Sequence, residues 1–226
     1  MLRSRVNEIL LEADSFIRSF GYVMPPFAYW TPEEMQAKKP SGILDGRLGW
    51  DITDYGEGRF DEMGLFLFTT RNGSVADLAK GRGMLYAEKI MISRKDQYSP
   101  MHRHNLKAED IINRGGGKLV LELFAPLPDG GIDREADVTV PCDGVLRTVK
   151  AGGKIALDPG ESITLMPGVW HAFWAEQKDV LIGEVSTVND DETDNVFEMD
   201  IKRFAGLTED VAPMHLLVSD YRKWIG

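Results

Sequence analysis

The 226 residues include only four histidines, and two of them stand one residue apart in Met101-His102-Arg103-His104-Asn105-Leu106-Lys107-Ala108-Glu109. On an extended strand alternate side chains share a face, so His102 and His104 can aim at one point while Arg103 looks away. A turn after Asn105 returns Glu109 to that point. A third histidine, His171, follows its own turn signal in Met166-Pro167-Gly168-Val169-Trp170-His171. Three imidazoles and a carboxylate suit a divalent first-row cation such as manganese, iron or zinc. The plainer reading, histidines with no ligand, explains a lone imidazole better than it explains this set.

The surrounding pattern is one of short strands. Residues 65–70 form a β-rich run ended by the turn dipeptide Asn72-Gly73. Residues 85–93, which contain Lys89, and 98–105 come next, and 118–124 follow the turn expected at Gly115-Gly116-Gly117. Further strands are expected at 138–140, 145–149, 154–157, 162–165, 171–175 and 180–188. Short strands separated by Gly, Pro and Asp turns predict a mainly β sandwich or barrel.

The segment before residue 63 reads differently. Val6, Ile9, Leu10, Ala13, Phe16, Ile17 and Phe20 recur at helical spacing and predict an amphipathic helix over 3–20, stopped at Gly21. Residues 22–30 should be extended. Thr31-Pro32-Glu33-Glu34 carries a capping-box start for a short helix that ends at Pro40-Ser41-Gly42. Residues 48–59, rich in Gly and Asp, look irregular. A short terminal helix is expected near 218–224. The partition is a helical and extended segment over 1–62 laid on a barrel over 63–226, together one structural domain.

Charge narrows the function. A net charge of -10 with no basic run argues against a nucleic-acid partner. The acidic stretch 189–194 reads as a solvated loop. A single cysteine, Cys142, excludes an internal disulfide framework. No apolar run has transmembrane length. The charges at Arg3, Arg5, Glu8, Glu12 and Asp14 are unlike a signal peptide, so a cytoplasmic location is expected.

Polar residues on the strands bear on the chemistry. Lys118 and Glu122 share one face of their strand, opposite Leu119, Leu121 and Leu123. Either they form an outward pair in water, or they enter the barrel and the leucines lie under the N-terminal segment. Glu184 sits within Val180-Leu181-Ile182-Gly183-Glu184-Val185, where a buried carboxylate needs a partner.

These residues also carry a family resemblance. His102, His104 and Glu109, with Gly115 or Gly116 beyond, resemble the first cupin motif, and Gly160 to His171 resembles the second. Asp96 stands where the family has a glycine, and Pro167 is one place late. The cupin resemblance implies a jelly-roll β-barrel. A narrower likeness lies in Glu109-Asp110-Ile111-Ile112-Asn113-Arg114-Gly115-Gly116-Gly117 and in the run from Gly183 to Asn195, which resemble those of the bacterial D-lyxose ketol-isomerases. That resemblance implies a manganese-dependent, homodimeric aldose–ketose isomerase, with one Mn2+ per chain, acting on D-lyxose and D-xylulose and also on D-mannose and D-fructose. It puts the metal on His102, His104, Glu109 and His171. Lys89, Lys118, Glu184 and Glu109 are its candidate catalytic residues, and Glu122 and Asp191 candidate substrate contacts. The expected chemistry is proton transfer through an enediol on an unphosphorylated sugar, since no Arg cluster or Gly-rich helix start offers a phosphate site. An iron-dependent cupin dioxygenase and a non-catalytic sugar-binding cupin are the alternatives.

Overall fold

In the computed structural model, which describes residues 1–226, the chain opens with α1 (Arg3–Ser19). Val6, Ile9, Leu10, Ala13 and Ile17 form its buried stripe, packed against Trp50, Ile52, Phe66, Phe68 and Ile90. Burying a large aliphatic side chain contributes about 1.5–3 kcal/mol, so this face is what holds the helix to the sheet. Next comes a single 310 turn at Pro26–Tyr29, where the sequence suggested extended chain; two prolines set its entry dihedrals. Helix α2 (Pro32–Lys38) has the expected reciprocal cap between Thr31 and Glu34. The chain does not become irregular after it: α3 (Ser41–Gly46) leads into β1 (Gly49–Thr53), paired antiparallel with β2 (Leu65–Arg71). The expectation of irregular chain over 48–59 is corrected at Gly49–Thr53 and holds over 54–59, which are turns and bends, so residues 1–62 contribute a strand to the sheet as well as cover it. The period-two signal in β1 is real but short, with Trp50 and Ile52 packed on α1 while Asp51 is buried in an ion pair with Arg203.

A short helix α4 (Val75–Leu78) precedes β3 (Tyr86–Ser93), β4 (Ser99–His104) and β5 (Glu109–Pro126). Short strands follow: β6 (Ile132–Asp133), β7 (Val138–Cys142), β8 (Val145–Val149), β9 (Gly153–Leu157) and β10 (Ser162–Leu165). The series closes with β11 (Trp170–Thr187), β12 (Asn195–Phe197), a coil, a 310 turn at Val218–Asp220 and α5 (Tyr221–Trp224).

The long strands make the barrel. The expected break at the three glycines is absent; β5 runs through them as one strand of 18 residues, and β11, expected as two strands, is likewise one of 18. They pair along their length, with the register shifting between Glu176 and Val180 opposite the glycines. A Cβ on Gly116 would lie 2.0 Å from the Asp179 carbonyl oxygen, so glycine there lets the two backbones bend together instead of ending the strand. The first half of β11 pairs with β4 and the second half with β3, so one continuous ten-stranded sheet curls around the interior, with β7 and β8 paired apart from it. Its interior holds Leu119, Leu121, Leu123, Ile111, Phe173 and Ile182. The architecture is mainly β, a cupin barrel with an N-terminal helical layer.

Candidate active site

Four side chains expected to share a point do so. The donor nitrogens of His102, His104 and His171 lie within 4.8 Å of one another. Glu109 Oε1 is 3.3 Å from His104 Nε2 and 3.2 Å from His171 Nε2. Strand pairing explains the convergence, because His171 on β11 stands opposite His102 on β4. The turn at Asn105 is pinned from outside the motif: the Asp194 carboxylate accepts hydrogen bonds from the backbone N–H groups of Leu106 (2.7 Å) and Lys107 (3.0 Å).

The ring nitrogens are arranged as a cation requires. Nδ1 of His102 faces the Pro100 carbonyl oxygen at 2.8 Å, and Nδ1 of His171 faces that of Val169 at 3.0 Å. Donating there leaves the Nε2 lone pairs free for a ligand. His104 is buried with neither ring nitrogen hydrogen-bonded, which is costly unless something else takes up a lone pair. Burial first, then the neighbouring imidazoles, hold His102 well below the usual histidine range, and burial first, then Lys107, lowers His104. Neutral imidazoles are what a metal binds. The residues present therefore fit a divalent cation.

Behind this cluster runs a chain of alternating buried charges. Lys107 Nζ is 2.6 Å from Glu109 Oε2 and 3.0 Å from Glu184 Oε1. Lys89 Nζ reaches the same Glu184 oxygen at 3.3 Å, Asn189 Oδ1 at 2.7 Å and Asp191 Oδ1 at 4.0 Å. Arg203 Nη2 continues the series, 3.3 Å from Asp191 Oδ2 and 2.8 Å from Asp51 Oδ2. Burial alone would raise these carboxyls, but the cations outweigh it at three of them. Lys107 and then His104 hold Glu109 well below the carboxylate range; Lys107 and Lys89 lower Glu184; Arg203 and Lys89 hold Asp191 well down. At Asp51 burial wins over Arg203 and the value rises. Burial would lower Lys107, but Glu109 and Glu184 raise it, so it stays an ammonium. Lys107, Glu109, Glu184, Lys89, Asp191 and Arg203, with the three histidines and Tyr55, whose hydroxyl burial pushes up to about 12, line a cavity of about 40 Å³, and Asp51 stands behind Arg203 outside it.

Such a site, histidines beside paired lysines and carboxylates, is what the comparisons with known proteins bring into focus. The family model described as D-lyxose isomerase matches residues 1–221. A D-lyxose/D-mannose isomerase of Serratia proteamaculans is 44% identical over 230 residues, covering 100% of both chains. The chain belongs to the D-lyxose isomerase family. A D-lyxose/D-mannose isomerase of Escherichia coli O157:H7 is 43% identical, over 99% of this chain and 100% of that protein. Among solved structures, the L-ribose isomerase of Cellulomonas parahominis superposes with a TM-score of 0.56 at 16% identity, covering 92% of this chain and 98% of its own. That of Acinetobacter sp. DL28 gives 0.59 at 13%, covering 91% and 98%. At such identities these structures support the barrel fold alone. No helix of this D-lyxose isomerase family member is long and apolar enough to cross a membrane.

This aldose–ketose isomerase brings together His102, His104, Glu109, His171, Lys89, Glu184 and Asp191 around one cavity, but not Lys118 or Glu122. Both expectations are corrected. With Leu119, Leu121 and Leu123 filling the barrel, their strand neighbours must face out: Lys118 pairs with Asp158 at 2.8 Å on the surface, and Glu122 stands opposite Lys154 on β9. Sequence reasoning missed Lys107, although it stands two residues before Glu109, a spacing that puts both on one side of an extended chain. It also missed Arg203 and Asp51, which no local pattern marks; of the two aromatics that could line a ligand site, Trp50 and Tyr55, Tyr55 lines the cavity and Trp50 packs in the core under α1. The stretch 189–194 is only partly solvated: Asp190 and Glu192 face outward, while Asp191 and Asp194 turn in.

Proposed function

We propose that this enzyme interconverts D-lyxose and D-xylulose, and D-mannose and D-fructose, using one divalent cation per chain, Mn2+ foremost, bound by His102, His104, Glu109 and His171. One observation carries the reading: Lys107 touches Glu109 on one side and Glu184 on the other, so a metal-type cluster and a buried acid–base group share a lysine. The names of the Serratia and Escherichia relatives support the choice of sugars. When bound, the cation supplies Lewis-acid stabilisation of negative charge on adjacent sugar oxygens.

The remaining work falls to the protein. Glu184 is held ionised, and both lysines reach its Oε1, which leaves Oε2 to take the proton from the carbon beside the carbonyl and return it to the carbonyl carbon, while the hydroxyl proton passes from the one sugar oxygen to the other. Lys107, kept protonated, stabilises the negative charge that develops on the sugar oxygens better than it releases a proton. Lys89 orients Glu184 through the same oxygen. Asp191 is retained as a substrate contact, and the enzyme as a cytoplasmic homodimer, a state that light scattering of the purified protein tests.

The deciding experiment supplies metal-reconstituted protein with a panel of aldopentoses and aldohexoses in heavy water. D-Lyxose and D-mannose should yield ketose carrying solvent deuterium. Ketose without label would point instead to a hydride shift or to a proton fully shielded from solvent on Glu184, and no ketose from any sugar would leave a sugar-binding cupin as the better reading.

A further inference from the structure

Arg203 enters the cavity from the coil between β12 and the C-terminal turn. Local structure holds it there: the Thr53 hydroxyl donates to the Arg203 carbonyl oxygen at 2.7 Å, and the backbone N–H of Lys202 donates to the Tyr55 carbonyl oxygen at 3.0 Å. Nη2 is committed to Asp51 and Asp191. Nη1 is buried and has no hydrogen-bond partner. Leaving a buried guanidinium nitrogen without an acceptor is costly, so its persistence in a site is informative. The other two cations of the cavity are engaged by carboxylates nearer the histidines, Lys107 by Glu109 and Glu184, Lys89 by Glu184.

We infer that Arg203 binds substrate, its Nη1 donating to a hydroxyl at the end of the open-chain sugar remote from the reacting carbons. The inference rests on the isomerase reading above and adds a specificity residue to it. Three features agree. Arg203 makes no ion pair with the histidine and Glu109 cluster and sits five charge contacts along the chain from Glu109, by way of Lys107, Glu184, Lys89 and Asp191. A guanidinium does not exchange protons near neutrality, so its role is recognition and not acid–base chemistry. The cavity that Arg203 lines is the one that His102, His104, Glu109 and His171 line, so both ends of one small ligand can meet them. Asp51 and Asp191 also neutralise the cation in advance. A hydroxyl accepts a hydrogen bond from such a group, whereas a phosphate dianion would meet two carboxylates, which makes Arg203 a filter for uncharged sugars.

The test uses full-length, metal-loaded enzyme carrying Arg203→Lys, Arg203→Gln, or Asp51→Asn with Arg203→Gln. The double variant avoids leaving Asp51 as an unpaired buried charge. Steady-state kinetics on D-lyxose and D-mannose are read together with metal content and with calorimetric binding of the non-reacting alditol of D-lyxose. KM should rise tenfold or more in both Gln variants, with kcat within about threefold and metal content unchanged, alditol affinity should fall in parallel, and Lys should restore part of both. Unchanged KM and unchanged alditol affinity would overturn the assignment, as would loss of metal in the double variant. Failure of the parent enzyme to make ketose defeats the isomerase reading separately, because alditol binding still reports on Arg203.

Discussion

Lys107 Nζ and Glu184 Oε1 lie 3.0 Å apart, each side chain 4% exposed. Neither charge is tolerable there alone, and each shifts the other toward its ionised form. Glu184 therefore remains a carboxylate below its ordinary range, and the basic form is lost only as pH falls through that depressed value. In a Lys107→Met variant burial acts with one cation fewer, so the acidic limb of kcat/KM should move to higher pH. Loss of charge stabilisation should lower kcat by about 10²–10³-fold. The stability that Glu109 and Glu184 contribute follows the same sign: present above the unfolded carboxylate range, lost as pH falls through the folded values. A pH–rate profile with the parent's acidic limb and kcat would contradict this role.

His104 has no protein hydrogen bond at either ring nitrogen, while His102 and His171 each face a carbonyl oxygen through Nδ1. His102→Ala and His104→Ala should each strip the cation and abolish turnover. Elemental analysis after dialysis is the measurement, and full metal occupancy in both variants would refute the ligand set.

Lys118 pairs with Asp158 on the outer face of the barrel, where a salt bridge is screened by water. Lys118→Ala should leave kcat, KM and melting temperature indistinguishable from the parent. A large fall in kcat with metal retained would restore Lys118 to the catalytic set.

Helix α1 depends on its buried face. Ile17 is fully buried between the helix and the sheet, so Ile17→Ala should cost about 2–5 kcal/mol in denaturant unfolding. Arg3 ties the same helix to the C-terminal segment through Asp220 at 2.8 Å and Glu209 at 2.7 Å. Removing it leaves Asp220 buried without its partner, and Arg3→Ala should cost about 3 kcal/mol or more. An unfolding midpoint unchanged in both variants would show that the helix is dispensable to the barrel.

Periodicity by itself determined a good deal of this protein. Alternation along 102–104 put two imidazoles on one side, the stripe from Val6 to Ile17 specified a helix with one buried face, and the short β-rich runs required a closed or stacked sheet. The cluster of His102, His104, Glu109 and His171 was legible because the first three lie at close spacing on one stretch and the last follows its own turn signal. What only the tertiary structure decided is which face of each strand meets the interior. Lys118 and Leu119 alternate identically whichever side is wet, and a slip of one residue exchanges them; the packing of Leu119, Leu121 and Leu123 against Ile111 and Leu157 settles it. The three glycines read as a turn because glycine permits one, yet pairing with β11 holds them in a bent strand. Arg203 and Asp51 are separated by about 150 residues and meet at 2.8 Å. Their electrostatics depend on burial and distance, which exist only once the chain has closed on itself.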